Sequence, residues 1–311
     1  MNWRDLAPRA KRALRTGRDE WGSRENQRNI VITGPGRSGT TLTCHLLNKL
    51  PETVALSEPI APGRFADRLP DHEAVCDGIE EYYLDMRRMA LREGVVISKH
   101  VGGVVPDNHL TNGEVEGVRR RVAQKGRIGV GKDLRPGFYL AIKQPRMFTA
   151  LLPTLAKRFP CFAVVRNPLA IRASSLSIES KKARGKNPHA IARYDEGFRR
   201  YIHEGKVESR DKLDRWLLKT HYIFERYRRE LPRNHIIRYE DIVGSGGKAL
   251  EVIVPAAREL DEPLRSRNLN PLYDRDDILP YAERLLESEG AYWDFYSRND
   301  VEELLEGLAR A

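Results

Sequence analysis

The sequence predicts an α/β protein in which a parallel β-sheet is flanked by helices. Short apolar runs such as NIVITG and CFAVVRNP end in glycine or proline, which is typical of buried strands. Stretches with helical periodicity follow these runs, as TTLTCHLLNKL follows NIVITG. Strands that alternate with helices form parallel sheets covered on both faces. The 311 residues, of which 40% are hydrophobic and 32% charged, are enough for one large globular domain.

The first predicted strand, NIVITG, ends in a glycine, and the helix after it stops at Pro51. The second strand, TVALSEP, ends at Pro59. From residue 60 to about residue 135 the pattern loosens. This stretch contains a helix, HEAVCDGIEEYYLDMRRMALREG, a hairpin or strand, GVVISKHVGGVV, and the polar, glycine-broken EVEGVRRRVAQKGRIGVGKD. We interpret residues 60–135 as an insertion or lid that forms the acceptor region, not as part of the core sheet.

The second half of the chain returns to regular alternation. FYLAIKQP is a strand ended by Pro145, and CFAVVRNP is the clearest buried strand. HIIRYED is the last predicted strand, and the tail from about Leu269 is predicted to be mostly helical. The helices predicted between these strands are MFTALLPTLAKRFP, LAIRASSLSIESKKARG and DRWLLKTHYIFERYRREL.

The charge pattern favours an anionic ligand. The formal net charge is +10 at pH 7, and arginines recur in the motifs considered below. Nucleic acid is disfavoured as a partner, because the basic residues are spread along the chain and no RNP, zinc-finger or KH pattern occurs. Residues 1–28 carry eight basic side chains and apolar residues at helical spacing. They predict a basic helical arm on the surface, with contact to a membrane surface as the alternative.

The cysteine and hydropathy patterns predict a cytoplasmic protein. Cys44, Cys76 and Cys161 are scattered, and no CxxC or Cys/His cluster occurs, so neither a disulfide framework nor a zinc site is expected. No run approaches the ~18 apolar residues of a membrane-spanning helix. The basic N-terminus lacks the apolar segment of a secretory signal. We expect residues 29–311 to form a single domain.

The loop after the first strand has the glycine spacing of a phosphate-binding loop. Gly34 and Gly39, separated by four residues, match the start of G-x-x-x-x-G-K-[ST]. Backbone N–H groups in such a loop, with the helix N-terminus that follows, bind anions. Thr40 replaces the lysine of the pattern, so ATP or GTP hydrolysis is disfavoured. The loop's cation is Arg37. The candidate ligand-binding residues are Gly36, Arg37, Ser38, Gly39, Thr40 and Thr41.

A second candidate cluster lies at the end of the strand CFAVVRNP. Arg166 ends this strand, and Ser174 follows eight residues later on the next predicted helix. An arginine can bind a phosphate through two hydrogen bonds, and a serine hydroxyl can add a third. Ligands of parallel sheets bind at the carboxyl ends of the strands. We therefore expect Arg166 and Ser174 to share one rim with the loop.

Together, GPGRSGTT and VVRNPLAIRASS resemble the sulfotransferases that use 3′-phosphoadenosine 5′-phosphosulfate. IIRYEDIV and KQPRMFTALLPTLAKRFP are similar to further segments of that family. The similarity runs from about residue 29 to residue 260, with a gap over residues 60–135. It is closer to the carbohydrate and bacterial branch than to the cytosolic aryl and steroid branch. It implies a P-loop NTPase-like sulfotransferase fold, 3′-phosphoadenosine 5′-phosphosulfate as the sulfuryl donor and no metal.

The resemblance also implies roles for individual residues in binding the donor. The loop would bind the 5′-phosphosulfate, and Arg166 and Ser174 would bind the 3′-phosphate. Arg37 and Lys143 would stabilise the phosphate that departs when sulfuryl is transferred. The late Arg-Lys-Gly motif of the cytosolic branch has only a loose counterpart, RSRN at residues 265–268.

The sequence offers two candidates for the general base. The histidine that follows the Lys143 position in the cytosolic branch is absent here. Glu58 is the first candidate, because ALSEP resembles a Ser-Glu-Pro segment in which glutamate is the proposed base. A carboxylate that caps the turn before Pro59 is the alternative reading of Glu58. His100, in ISKH, is the second candidate.

These observations predict sulfuryl transfer to a hydroxyl of a carbohydrate, a glycolipid or another small metabolite. A P-loop small-molecule kinase, which would need ATP and magnesium, is the alternative enzyme. A non-catalytic protein that binds anions or nucleic acid is the alternative outside enzymes. The sequence specifies neither the acceptor nor an oligomeric state.

Overall fold

A five-stranded parallel sheet lies at the centre of the computed structural model. The structure describes residues 28–310 except 62, 112, 114–118, 179–189 and 209–210. The predicted basic arm, apart from its last residue, lies outside the described residues. The described strands are β1 (Asn29–Thr33), β2 (Thr53–Ser57), β3 (Val95–His100), β4 (Gln124–Gly129), β5 (Tyr139–Lys143), β6 (Cys161–Val165) and β7 (Ile236–Arg238).

The five-stranded sheet has the order β2-β5-β1-β6-β7, and its neighbouring strands are parallel throughout. Strand β1 is central, and its five residues are all buried. Ile32 pairs with Lys143 on one side and with Phe162 on the other. Apolar side chains on both faces of β1 suit a strand that is covered twice, as the sequence predicts.

Helices cover both faces of this sheet. In the order of the sheet, the connection from β1 to β2 runs toward one edge and the connection from β5 to β6 runs toward the other. Because crossovers between parallel strands are right-handed, the helices in these two connections lie on opposite faces. No described helix is long and apolar enough to span a bilayer. The α-helices are α1 (Thr40–Leu47), α2 (His72–Glu93), α3 (Pro145–Leu155), α4 (Pro168–Leu176), α5 (Glu196–Glu208), α6 (Lys212–Glu230), α7 (Tyr239–Gly244), α8 (Arg275–Leu286) and α9 (Arg298–Arg310).

Residues 60–135 contribute a core helix as well as a smaller sheet. The hydroxyl of Tyr83, on α2, donates a hydrogen bond of 2.6 Å to the Ile30 carbonyl of β1. The Nε of Arg87 donates to Asn29 Oδ1 at 2.7 Å, which holds the start of β1. Strands β3 and β4 pair with each other antiparallel in a separate sheet. The segment therefore adds no strand to the five-stranded sheet among its described residues.

Two predicted elements differ from the structure. Strand β4 lies in the stretch that is polar and glycine-broken in sequence and is not predicted as a strand. Its pattern is hidden because most of its side chains are exposed and Ile128 is the buried one. The predicted strand HIIRYED stops at Arg238, and α7 begins at Tyr239. Glu240 and Asp241 stand in the first turn of α7, where negative charge favours a helix.

Candidate active site

The predicted site residues other than His100 meet at the carboxyl edge of the five-stranded sheet. The loop of residues 34–39 follows β1, and Arg166 follows the neighbouring strand β6. The chain runs from β1 to β2 at one edge of the sheet and from β6 to β7 at the other edge. Connections that diverge in this way leave a crevice between the carboxyl ends of β1 and β6. Lys143, at the end of β5, and Glu58, directly after β2, lie on the same edge. The sheet order therefore brings together residues that are far apart in sequence.

The loop turns its backbone through left-handed conformations at three positions. The φ angles are 154° at Gly34, 74° at Arg37 and 94° at Gly39. A Cβ atom at Gly34 would overlap the Val164 carbonyl oxygen, and one at Gly39 would lie 2.5 Å from the Tyr239 ring. Glycine is therefore required at both positions. Turns of this kind direct successive N–H groups toward one point and form an anion-binding nest.

The start of helix α1 has binding capacity that the protein does not use itself. Within the part of the chain that the structure describes, no side chain caps this N-terminus, and no acidic residue stands in its first turn. The Ser38 hydroxyl is buried and has no hydrogen-bond partner among the described residues. A buried hydroxyl without a partner is costly. A ligand with anionic oxygens would satisfy both the hydroxyl and the free N–H groups.

An arginine subsite joins the loop to the second motif. Arg37 Nε donates a hydrogen bond of 3.0 Å to the Ser174 hydroxyl on α4. Arg166 Nη1 donates to the Arg37 carbonyl at 3.0 Å. Arg37 Nη2 reaches Asn108 Oδ1 at 3.5 Å. The structure therefore brings together Arg37, Arg166 and Ser174.

Arg166 also contacts the segment RSRN, residues 265–268, which is the loose counterpart of the Arg-Lys-Gly motif. Its Nε donates to Asn268 Oδ1 at 2.7 Å, and its Nη2 donates to the Arg267 carbonyl at 2.6 Å. The guanidinium lies over the Tyr239 ring, 4.7 Å from the ring centre. These contacts fix the plane of the buried guanidinium at the end of β6.

The arginine subsite carries more positive than negative charge. Burial lowers the pKa of Arg37 to about 10, and three neighbouring arginines add to this effect against the opposing effect of Tyr273. Asp107 forms an ion pair of 2.6 Å with Arg267. Within the described part of the chain, no carboxylate forms an ion pair with Arg37 or Arg166. The uncompensated charge favours an anionic ligand. The three neighbouring arginines are Arg119, Arg166 and Arg267.

A second subsite surrounds Glu58 at the ends of β2 and β5. Lys143 Nζ donates to Glu58 Oε1 at 2.7 Å and to Thr41 Oγ1 at 3.2 Å. Lys99, from β3, forms an ion pair with Glu58 Oε2. The backbone of Glu58 has a φ of 48°, and its N–H donates to the Lys143 carbonyl at 2.8 Å. The subsite therefore brings together Glu58 and Lys143, which were predicted separately, and joins them to the start of α1 through Thr41.

Two lysines hold the Glu58 carboxylate in its ionised form. Burial raises the pKa of Glu58, but the charges of Lys143 and Lys99 and their hydrogen bonds outweigh it and hold the pKa well below its usual range. His109 lies alongside, with Nδ1 3.9 Å from Glu58 Oε1 and Nε2 3.0 Å from Ser57 Oγ. Burial, and next the charge of Lys143, lowers the pKa of His109 to about 3, so its imidazole is neutral near pH 7.

His100, the second predicted base, makes its contacts within the smaller sheet. Its Nδ1 accepts a hydrogen bond of 3.1 Å from the Gly103 N–H, and its ring lies over Gly126. None of these contacts joins it to Glu58. The neighbouring residue, Lys99, is the one that reaches the site.

Several residues of the two subsites have no recognisable motif in the sequence. One of them lies on β3 and the other three lie between β3 and β4, and no local pattern marks any of the four. RSRN is the exception, because its place after the last strand is a weak signal for Arg267 and Asn268. The residues without a motif are Lys99, Asn108, His109 and Arg119.

The chain matches no known protein-family model and no curated protein. Its function therefore has to be inferred from the chemistry of the site.

Proposed function

We propose that this protein transfers a sulfuryl group from 3′-phosphoadenosine 5′-phosphosulfate to a hydroxyl of a carbohydrate, glycolipid or other small metabolite. The observation that carries the proposal is the link that Arg37 makes between the two motifs. Its side chain donates to Ser174, and its carbonyl accepts from Arg166. The two motifs thus share one cationic site, as a ligand with two phosphate groups requires.

The unused hydrogen-bonding groups fit the 5′ end of this donor. The nest of the loop, the uncapped start of α1 and the unpartnered Ser38 hydroxyl suit a phosphosulfate. Lys143 stands beside the loop through its hydrogen bond to Thr41. The loop lacks the lysine that a γ-phosphate needs, and this favours phosphosulfate over ATP.

The arginine subsite fits the 3′-phosphate. Three hydrogen bonds and a ring contact fix the orientation of the Arg166 guanidinium plane. A guanidinium held in this way can bind two oxygens of one phosphate at the same time. Ser174 adds a hydroxyl, and Arg119 adds positive charge. A nucleotide with a single 5′-phosphate would leave this charge uncompensated.

The residues around Glu58 suit the proton transfer. The donor supplies an electrophilic sulfur and a good leaving group. Lys143 and the loop N–H groups stabilise negative charge on the departing phosphate. Glu58 is ionised near pH 7 and accepts the proton of the attacking hydroxyl. The order of the sheet, with the loop after its central strand, supports a P-loop NTPase-like sulfotransferase fold for this chemistry.

A thermal-shift comparison tests the proposal without a known acceptor. We expect adenosine 3′,5′-bisphosphate, without magnesium, to raise the melting temperature by about 5 °C at a concentration about 100 times its Kd. ATP with magnesium should raise it much less. Stabilisation by magnesium-ATP alone would instead indicate a kinase. Steeply salt-dependent oligonucleotide binding, without a response to the bisphosphate, would indicate a nucleic-acid-binding protein.

A further inference from the structure

Lys99 has no assigned role, yet it makes one of the two ion pairs of Glu58. It occupies the fifth position of β3, and its ammonium contacts Glu58 Oε2. The side chain of Lys99 is 16% exposed and that of Glu58 is 27% exposed, so the pair is largely shielded from water. Surface ion pairs contribute little, whereas shielded pairs are screened less and constrain their partners more.

The two oxygens of Glu58 are divided between two lysines on different sheets. Lys143, at the end of β5, takes Oε1, and Lys99, on the smaller sheet, takes Oε2. The other ionisable groups near the carboxylate are His109, which is neutral near pH 7, and the buried Cys44 thiol. Arg121 acts on Lys99 and His109 from farther away. The cluster of one carboxylate and two ammonium groups therefore has a net charge of +1.

The end of β3 is attached to the end of β2 by a second contact. The Ser57 N–H donates a hydrogen bond of 2.9 Å to Ser98 Oγ, and Ser98 directly precedes Lys99. Ser57 directly precedes Glu58. Two consecutive residues of β3, Ser98 and Lys99, thus contact two consecutive residues at the end of β2, Ser57 and Glu58. The backbone of β3 therefore fixes the position of Lys99 relative to Glu58.

We infer that Lys99 is the positioning residue of the proposed general base: it anchors Glu58 Oε2 so that the carboxylate stays in place when Lys143 turns to the anionic donor. The inference rests on the proposed function. Lys143 has two tasks in that function, since it contacts Glu58 and lies beside the loop through Thr41. A carboxylate held by Lys143 alone would lose its partner, or follow it, once the donor binds. The second anchor removes this conflict.

The test measures the ionisation of Glu58 directly and needs neither donor nor acceptor. The side-chain carboxyl carbons of glutamate are labelled with 13C, the Glu58 signal is assigned by its loss in Glu58→Gln, and its chemical shift is followed against pH. We expect Lys99→Met to move the Glu58 titration upward by about one pH unit or more, because an opposite charge at this distance lowers a carboxyl pKa by about 1 to 3 units. Lys99→Arg should restore the wild-type titration.

Matched variants separate this effect from a structural one. Lys125 faces Lys99 across the β3–β4 pair and is exposed, so Lys125→Met removes the same charge and should leave the Glu58 titration unchanged. Lys99→Gln serves as a second charge-free variant if Lys99→Met does not fold. Identical Glu58 titrations in wild type and in the charge-free variants would overturn the inference.

Stabilisation by adenosine 3′,5′-bisphosphate, measured on the same proteins, distinguishes the two proposals. We expect Lys99→Met to retain the thermal shift, because Lys99 contacts Glu58 and not the phosphate-binding loop. A wild type that does not respond to the bisphosphate contradicts the proposed function. A bisphosphate response combined with an unchanged Glu58 titration contradicts the role of Lys99 alone.

Discussion

Single residues in the loop after β1 decide how closely its backbone can approach an anion. Gly34 and Gly39 are packed against Val164 and Tyr239, and both have left-handed conformations. Gly36 differs, because a Cβ built on it would have no neighbour within 4 Å among the described residues that are not adjacent in the chain. The first two glycines are thus needed for the fold of the loop, whereas Gly36 leaves open space beside it. That space is where the proposed ligand would approach the loop.

Alanine at Gly34 and at Gly36 should separate folding from binding. We expect Gly34→Ala to lower the melting temperature, because its Cβ meets the Val164 carbonyl and its φ disfavours alanine. Gly36→Ala should keep the wild-type melting temperature but weaken binding of adenosine 3′,5′-bisphosphate about tenfold, because the added methyl group occupies the approach to the loop. Calorimetric titration measures the affinities. Wild-type affinity in Gly36→Ala would show that the ligand does not contact this part of the loop.

Some site residues could be predicted from the sequence because their neighbours in the chain restrict them. The glycine spacing of the loop is a recognisable pattern. Arg166 and Ser174 are eight residues apart, at the end of one strand and on the helix that follows it, so the local structure limits the distance between them. The structure places these residues in contact through Arg37. Arg119 and His109 could not be predicted, because they contact residues that are more than 50 positions away in the sequence, Ser177 and Ser57.

At the scale of elements, helix α2 shows that residues 60–135 are more than a cover for the site. Val75, Cys76 and Ile79 are fully buried, and Tyr83 hydrogen-bonds to the central strand. The helix was predicted from its apolar periodicity, but its place in the core was not, because periodicity does not show what a helix packs against. The exposed strand β4 was missed, because strand prediction relies on buried alternation.

Truncation of two aliphatic side chains on α2 tests its role in the core. We expect Ile79→Ala to lower the free energy of unfolding by about 2–5 kcal/mol, because the side chain is fully buried and its loss leaves a cavity. Leu91→Ala, at a position 41% exposed on the same helix, should cost less than about 1 kcal/mol. Urea denaturation measures both values. Equal, small effects would mean that α2 is a detachable cover.

At the scale of the whole molecule, the strand order assembles the site. The order β2-β5-β1-β6-β7 puts the loop between the ends of β5 and β6, so Lys143 and Arg166 flank it from opposite sides. The alternation of strands and helices predicted a parallel sheet. The order of the strands did not follow from it, because pairing joins segments more than 100 residues apart, such as β1 and β5. The net charge of +10 favours an anionic partner, but it is the arginines around Arg37 that show where the structure concentrates positive charge.

The most direct test of a sulfotransferase donor site compares two nucleotides at Arg166. Calorimetric titration gives the Kd of adenosine 3′,5′-bisphosphate and of adenosine 5′-phosphate for wild type, Arg166→Ala and Arg127→Ala. The last variant removes an equal charge from an exposed position on β4. We predict that Arg166→Ala weakens bisphosphate binding about 10- to 100-fold and adenosine 5′-phosphate binding little, while Arg127→Ala changes neither. Equal losses for both nucleotides in Arg166→Ala would contradict a 3′-phosphate site.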